Sequence, residues 1–348
     1  MQNNIFSLLK LARDKGASDL YIGEKAPIYL RIEGEIEKFE EPAFNTIEAE
    51  ELIKEIIPED KLIEWENGRD LDFSLHLEEG SYRVNIYRDR KGIQATFRII
   101  PSRIPTLSEL GFPQSVRKMA YLNLGLVLVT GPSGCGKSTT LAALINEINE
   151  NLSRHIITLE DPLEYLHQNK KSRIVQREIG KHTDSFARAL KSALREDPDV
   201  IMIGELRDLE SISLALTAAE TGHLVLSTLH TNRAYLVPDR IINTFPPYEQ
   251  PQVRVMLSEM LKGVISQHLV KREDKKGRVA ALEILVWTPA LAALIREDKT
   301  YRIPSLMQTG KAKFGMRLLE DSLLELVGKG IISEESFHEF MREDGLLR

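Results

Sequence analysis

The chain has 348 residues, and its 46 Lys and Arg against 52 Asp and Glu leave a formal net charge of −6. That balance excludes a generic nucleic-acid coat, whose affinity rests on basic groups that displace counterions. A single cysteine, Cys135, excludes a disulfide framework and a four-cysteine zinc site within one chain.

Residues 1–13 lack the basic and apolar regions of a signal peptide. No window approaches the roughly 18 apolar residues of a membrane span. The composition therefore fits a chain of about two domains working in a reducing cytosol. Ile5, Leu8, Leu9 and Ala12 recur at helical spacing, so residues 4–15 read as an amphipathic helix that ends at Gly16. Strand-like runs follow at 19–22, 28–32, 70–77, 82–87 and 92–100, with helices expected at 46–57 and 59–65. Tyr82 to Tyr87 alternates apolar and polar residues, as a half-buried strand does. These elements make a small α/β module over residues 1–100.

Pro101, Pro105 and Pro113 come next. Proline removes a donor and holds its predecessor extended, so 101–113 reads as a linker. From 114 to about 275 apolar runs at 124–130, 155–160, 200–205 and 223–228 alternate with helical stretches. Such alternation predicts crossover units and a mostly parallel sheet covered on both faces. From 276 to 348 helical periodicity dominates, with Leu318, Leu319, Leu323, Leu326 and Val327 on one helix. That segment is expected to be a helical subdomain.

Residues Gly131, Pro132, Ser133, Gly134, Cys135, Gly136, Lys137 and Ser138 satisfy the phosphate-loop pattern, followed by Thr139. A strand enters the loop and a helix leaves it. Glycines let successive N–H groups turn towards phosphate oxygens, and the helix start adds positive partial charge. Lys137 would reach the β- and γ-phosphates of ATP, and Ser138 would ligate Mg2+. Cys135 reads as a small residue that fits the loop rather than as a redox switch.

The run from Ile156 to Glu164 is a strand ending in acids. Glu164, one short turn past Pro162, is placed to reach an attacking water. Glu160 and Asp161 are nearer the strand end and suit Mg2+ or its waters. Val200 to Glu205 is a second apolar strand ending in a carboxylate, with Gly204 where many nucleoside triphosphatases carry aspartate. Asp197 and Asp199 precede that strand and are expected at its other end, which leaves Glu205 facing the phosphates. His223 and His230 bracket a further strand and are expected to sense the γ-phosphate.

The run from Leu194 to Asp208, the Ala218 to His223 box and the Thr228 to Asn232 box resemble the secretion ATPase superfamily. These are the hexameric motors of type IV pili and type II secretion. Phosphate loop, acidic box, Gly-Glu strand end and two-histidine box follow in order. Within the superfamily the chain is similar to the pilus-retraction branch. Gly16 to Leu20 resembles that branch's opening, and Leu294-Ile295-Arg296-Glu297 resembles its C-terminal motif, with Leu in place of Ala. Two departures stand out: Tyr21 replaces the usual His, and the run from Arg233 to Pro238 is unusual after the histidine box.

The resemblance implies a PAS-like N-terminal domain joined by the linker to a RecA-like P-loop ATPase core with the C-terminal helical subdomain. It implies Glu164 as catalytic base, Glu205 as the second-strand acid, and Arg83 and Arg98 as phosphate contacts from the first module. It further implies a cytoplasmic homo-hexamer at the inner-membrane base of a pilus machine. Contact with the membrane would come only through an inner-membrane platform protein, without nucleic acid. Neighbouring readings are an accessory retraction ATPase and a pilus-extension or type II secretion ATPase. The missing zinc insertion and missing extra N-terminal domain weigh against the last two. A DNA translocase would want basic or aromatic pore loops, and no such cluster is visible. A nucleotide-sensing adaptor would have lost a catalytic carboxylate, yet every candidate is present.

Overall fold

The computed structural model describes residues 4–32, 34–39, 44–77, 80–100, 103–274 and 277–343. The chain divides into two compact units, Met1–Arg103 with Glu164–Leu166, and Ile104–Leu163 with His167–Arg348.

The first unit is built on an antiparallel six-stranded sheet. Its strands are β1 (Asp19–Gly23), β2 (Tyr29–Ile32), β3 (Glu35–Lys38), β4 (Leu71–Leu77), β5 (Gly80–Asp89) and β6 (Gly92–Ile100), in the order β3-β2-β1-β6-β5-β4. Helix Ile5–Asp14 buries Ile5, Leu8, Leu9 and Ala12, the four residues whose spacing marked it. Its N-cap Asn4 accepts a hydrogen bond from the Ser7 amide at 2.8 Å. Helix Thr46–Lys54 starts in a capping box of Asn45 and Glu48. Both helices pack in one apolar cluster with Val84, Ile86 and Phe97. β3 was not anticipated; all four of its residues are exposed, so it carries no inward apolar face to read.

The second unit holds a seven-stranded sheet. Its strands are β7 (Gly125–Thr130), β8 (His155–Glu160), β9 (Arg173–Glu178), β10 (Val200–Ile203), β11 (Leu224–Leu229), β12 (Leu261–Lys271) and β13 (Arg278–Val286), in the order β13-β12-β7-β11-β10-β8-β9. All neighbours run parallel except β13, which is antiparallel to β12. β7 is buried at every position because helices cover both faces. Leu126 and Leu128 join one apolar cluster, while Val127 and Val129 join the other. This confirms the α/β class and the parallel sheet predicted from continuous apolar runs.

Two features differ from the expectation. β13 lies beyond residue 275, in the stretch read as helical, and completes the sheet edge before the C-terminal helices begin. Within 101–113, residues 101–102 lie outside the described residues. Leu107 is 2% exposed and packs in the second unit's core with Val116 and Met119, so the later part of this stretch is not free spacer.

Candidate nucleotide site

The phosphate loop connects β7 to helix Lys137–Asn151. Gly131, Gly134 and Gly136 have φ of +138°, +74° and +88°, which a side chain would make costly. Gly136 is the helix N-cap, and no side chain caps that helix. The first-turn amides are thereby left for an anion, as at phosphate-binding helix starts. Lys137 Nζ donates to the carbonyls of Gly131 and Pro132, each at 2.9 Å, so its ammonium is held on the loop. Ser138 and Thr139 follow in the first turn, half-buried, and Ser133 is exposed. Cys135 is 3% exposed, and burial pushes its thiol above the ordinary value. A protonated, enclosed thiol supports the packing reading over a redox one.

The parallel register brings further groups to the same edge. Leu229 pairs with Thr130, so the segment after β11 emerges beside the start of the loop. His230 Nε2 lies 3.4 Å from Glu205 Oε2, and Arg207 forms an ion pair with the other oxygen of Glu205. Burial works to raise Glu205, but Arg207 and His230 outweigh it and hold the carboxyl below its usual range. Arg207 is raised in turn by its bond to Glu205, with Asp161 adding to the attraction. Glu205, Arg207, His230 and Asp161 thus form one electrostatic group at the strand ends.

Gly204 follows β10, and its carbonyl accepts from Thr228 Oγ1 at 2.7 Å. Glu160 is 8% exposed, and its Oε1 accepts from Thr158 Oγ1 at 2.7 Å and Gln176 Nε2 at 3.2 Å. Among the described residues no three His, Cys, Asp or Glu side chains gather as a metal cage. Ser138, Asp161 and Glu160 are nonetheless all oxygen donors. Mg2+ commonly takes one or two protein oxygens and completes its shell with substrate phosphates and water, so these residues fit it.

The structure places His223 apart from the loop of its own chain. It precedes β11 at the end where Leu224 pairs with Gly125, so a six-residue strand, roughly 17–20 Å, separates it from the phosphate-loop edge. Its Nδ1 lies 2.9 Å from the Ala218 carbonyl, closing the turn before the strand. Within one chain His223 is not brought to the loop, and only His230 of the pair is. Asp199 lies at the same far end, where it binds Arg154 at 3.0 Å.

Arg83 and Arg98 belong to the first unit and sit directly opposite each other on β5 and β6. Two like charges in register repel. Asp72 meets Arg83 at 2.9 Å and Asp19 meets Arg98 at 3.1 Å. Asp19, only 4% exposed, also lies 3.7 Å from Arg31 on β2. Arg31, Asp19, Arg98 and Arg83 therefore form a charged row across four strands. Glu164 lies in the Glu164–Leu166 segment, which groups with the first unit.

Sequence reasoning assigned no role to Arg207 or Gln267. Arg207 lies two residues past Glu205, where a strand-end carboxylate needs a counter-charge. Gln267 interrupts an apolar run on β12, and a buried amide must find partners. Its Oε1 accepts from Thr140 Oγ1 at 2.7 Å, and its Nε2 donates to the Cys135 carbonyl at 2.5 Å.

The chain is similar over nearly its whole length to known proteins. The Type IV pilus retractation ATPase PilT of Pseudomonas aeruginosa is 45% identical over 337 residues, covering 97% of each chain. A twitching motility protein of Neisseria gonorrhoeae is 47% identical over 335 residues, covering 96% of this chain and 89% of that one. A crystal structure of the pilus retraction motor PilT with bound ADP superposes with a TM-score of 0.89 at 42% identity, covering 96% of each chain. Residues 2–337 match the family described as Type II/IV secretion system protein, and the chain belongs to that family.

Proposed function

We propose that this chain is an ATP-hydrolysing motor that powers retraction of type IV pili, working as a homo-hexamer docked on an inner-membrane platform protein. The observation that carries the reading is the meeting, at one sheet edge, of a glycine-shaped loop bearing Lys137 with an ionised Glu205 ordered by Arg207 and His230. Full-length similarity to proteins named for retraction and twitching favours retraction over extension or secretion. Among the described residues no helix is long and apolar enough to cross a membrane.

In the proposed reaction Lys137 and the loop amides hold the β- and γ-phosphates. Ser138, with Asp161 and Glu160 directly or through water, would hold Mg2+, which supplies charge neutralisation to the phosphates. Glu164 takes a proton from the attacking water as the water oxygen bonds to the γ-phosphorus. The bond from that phosphorus to the bridging oxygen breaks, and ADP leaves with the electron pair. Glu205 and His230 serve the γ-phosphate side. Arg83 and Arg98, supplied by a first unit, stabilise the developing charge, a contribution of about 10³–10⁵ in rate where arginine fingers are known.

The test is phosphate release from ATP by the purified chain, with and without Mg2+ and with and without DNA. Mg2+-dependent release that DNA does not stimulate is expected. Absent release returns the adaptor reading, and DNA stimulation returns the translocase.

A further inference from the structure

We infer that Gln267 is a positioning residue for the phosphate loop, and that β12 holds this loop and the segment behind His230 in one fixed relation. The inference rests on the reading of residues 131–138 as a nucleotide site.

Gln267 is 2% exposed on a strand whose other inward residues are mostly apolar. Both ends of its amide are used. The oxygen takes the Thr140 hydroxyl, in the first turn of the helix that leaves the loop; the nitrogen reaches the Cys135 carbonyl, within the loop itself. The Gln267 backbone also defines the loop's entry, since a Cβ on Gly131 would lie 2.3 Å from the Gln267 carbonyl oxygen. Entry, middle and exit of the loop are therefore all referred to one residue.

Successive strand side chains point to opposite faces. Ser266 and His268 accordingly serve a different segment. Ser266 Oγ donates to the Asn232 carbonyl at 3.1 Å, and His268 Nε2 lies 2.9 Å from the same carbonyl. Asn232 is two residues past His230. A further tie joins the same two places: Thr130, the residue before Gly131, and Thr231, the residue after His230, have hydroxyls 2.6 Å apart. Three consecutive residues of β12 thus hold the phosphate loop on one side and the histidine segment on the other.

The consequence is preorganisation. A loop shaped in advance loses less freedom when an anion binds, so binding is tighter than to a loop that must be ordered. Leucine at 267 keeps the approximate shape but leaves the Thr140 hydroxyl and the Cys135 carbonyl without this partner in a dry place.

The experiment uses the full chain and a fluorescent ATP analogue, with equilibrium titration, steady-state turnover and thermal unfolding without nucleotide. Gln267→Leu is expected to weaken nucleotide affinity roughly tenfold, the effect of about one lost buried hydrogen bond. Its kcat at saturation should change much less. Thr140→Val should weaken affinity in the same direction. The double variant should lose less than the two single losses combined, because the residues share a bond. Wild-type affinity in Gln267→Leu, with only a lowered unfolding temperature, overturns the inference and leaves Gln267 a packing residue. Strictly additive losses overturn it too. If Gln267→Leu does not fold, Thr140→Val decides on its own, and unchanged affinity there counts against the inference. A wild-type chain that binds no nucleotide sinks the parent reading instead, so the two failures are distinguishable.

Discussion

Gly131→Ala tests the loop geometry directly. At φ +138° an L residue is strained, at a cost on the order of 1–3 kcal/mol. The added methyl would also sit 2.3 Å from the Gln267 carbonyl oxygen and 2.8 Å from Cys135 Sγ. The oxygen is backbone of a central strand and cannot rotate away. Relief requires moving β12 against β7, where Ser266 pairs with Thr130, and overpacking of this kind costs roughly 1–3 kcal/mol. Together these effects come to about 4 kcal/mol. At roughly 2–4 °C per kcal/mol, unfolding should shift down by about 8–16 °C. Gly134→Ala is the internal comparison. Gly134 has φ +74° and nothing within 4 Å of an added Cβ, so only a left-handed penalty of roughly 1–2 kcal/mol applies. Calorimetry without nucleotide reads both variants. Equal shifts for Gly131→Ala and Gly134→Ala would refute the claim that β12 walls the loop.

Lys137→Ala should abolish nucleotide binding in a fluorescence titration, whereas Glu164→Gln should bind normally and stall turnover; normal hydrolysis by Glu164→Gln would move the base to Glu160 or Glu205. Arg98→Ala should lower kcat by at least roughly tenfold with little change in ATP affinity, and an unchanged kcat would leave Arg98 simply the ion-pair partner of Asp19. Glu283, on β13 and 1% exposed, is pushed up to about 7, mainly by burial, against the opposing pull of the Ala234 amide and Arg233. Its folded-state pKa is raised, so its contribution to stability is present below the ordinary 4.5 and is lost as pH rises through about 7. Wild type should therefore lose unfolding temperature between about pH 5 and pH 8 relative to Glu283→Gln, and parallel curves for the two would contradict the assignment.

The phosphate loop was legible because its chemistry demands fixed residues at fixed spacing, and β7, β8, β10 and β11 because burial on both faces gives each a mainly apolar run. The strand that organises the loop was not. β12 begins directly after helix Gln250–Met260 without an intervening breaker, and Ser266, Gln267 and His268 interrupt its apolar run. Those polar residues lie inside because they have partners, and partners are set by the fold. β13 reads as helix because its Val279-Ala280-Ala281-Leu282 run suits either state, and pairing with β12 decides it. His223 and His230 look equivalent in a list of residues. The direction of a parallel strand separates them, sending one to the loop edge and the other to the far edge. The pairing of Arg83 with Arg98 depends on antiparallel register, which fifteen residues of sequence separation did not reveal.

The most direct test of the motor is made in cells, by replacing the resident gene with one encoding Lys137→Ala. A retraction motor deprived of its phosphate grip should leave cells covered in pili yet unable to twitch. Cells that lose their pili would assign the chain to extension, and cells that pilate and twitch normally would contradict the account altogether.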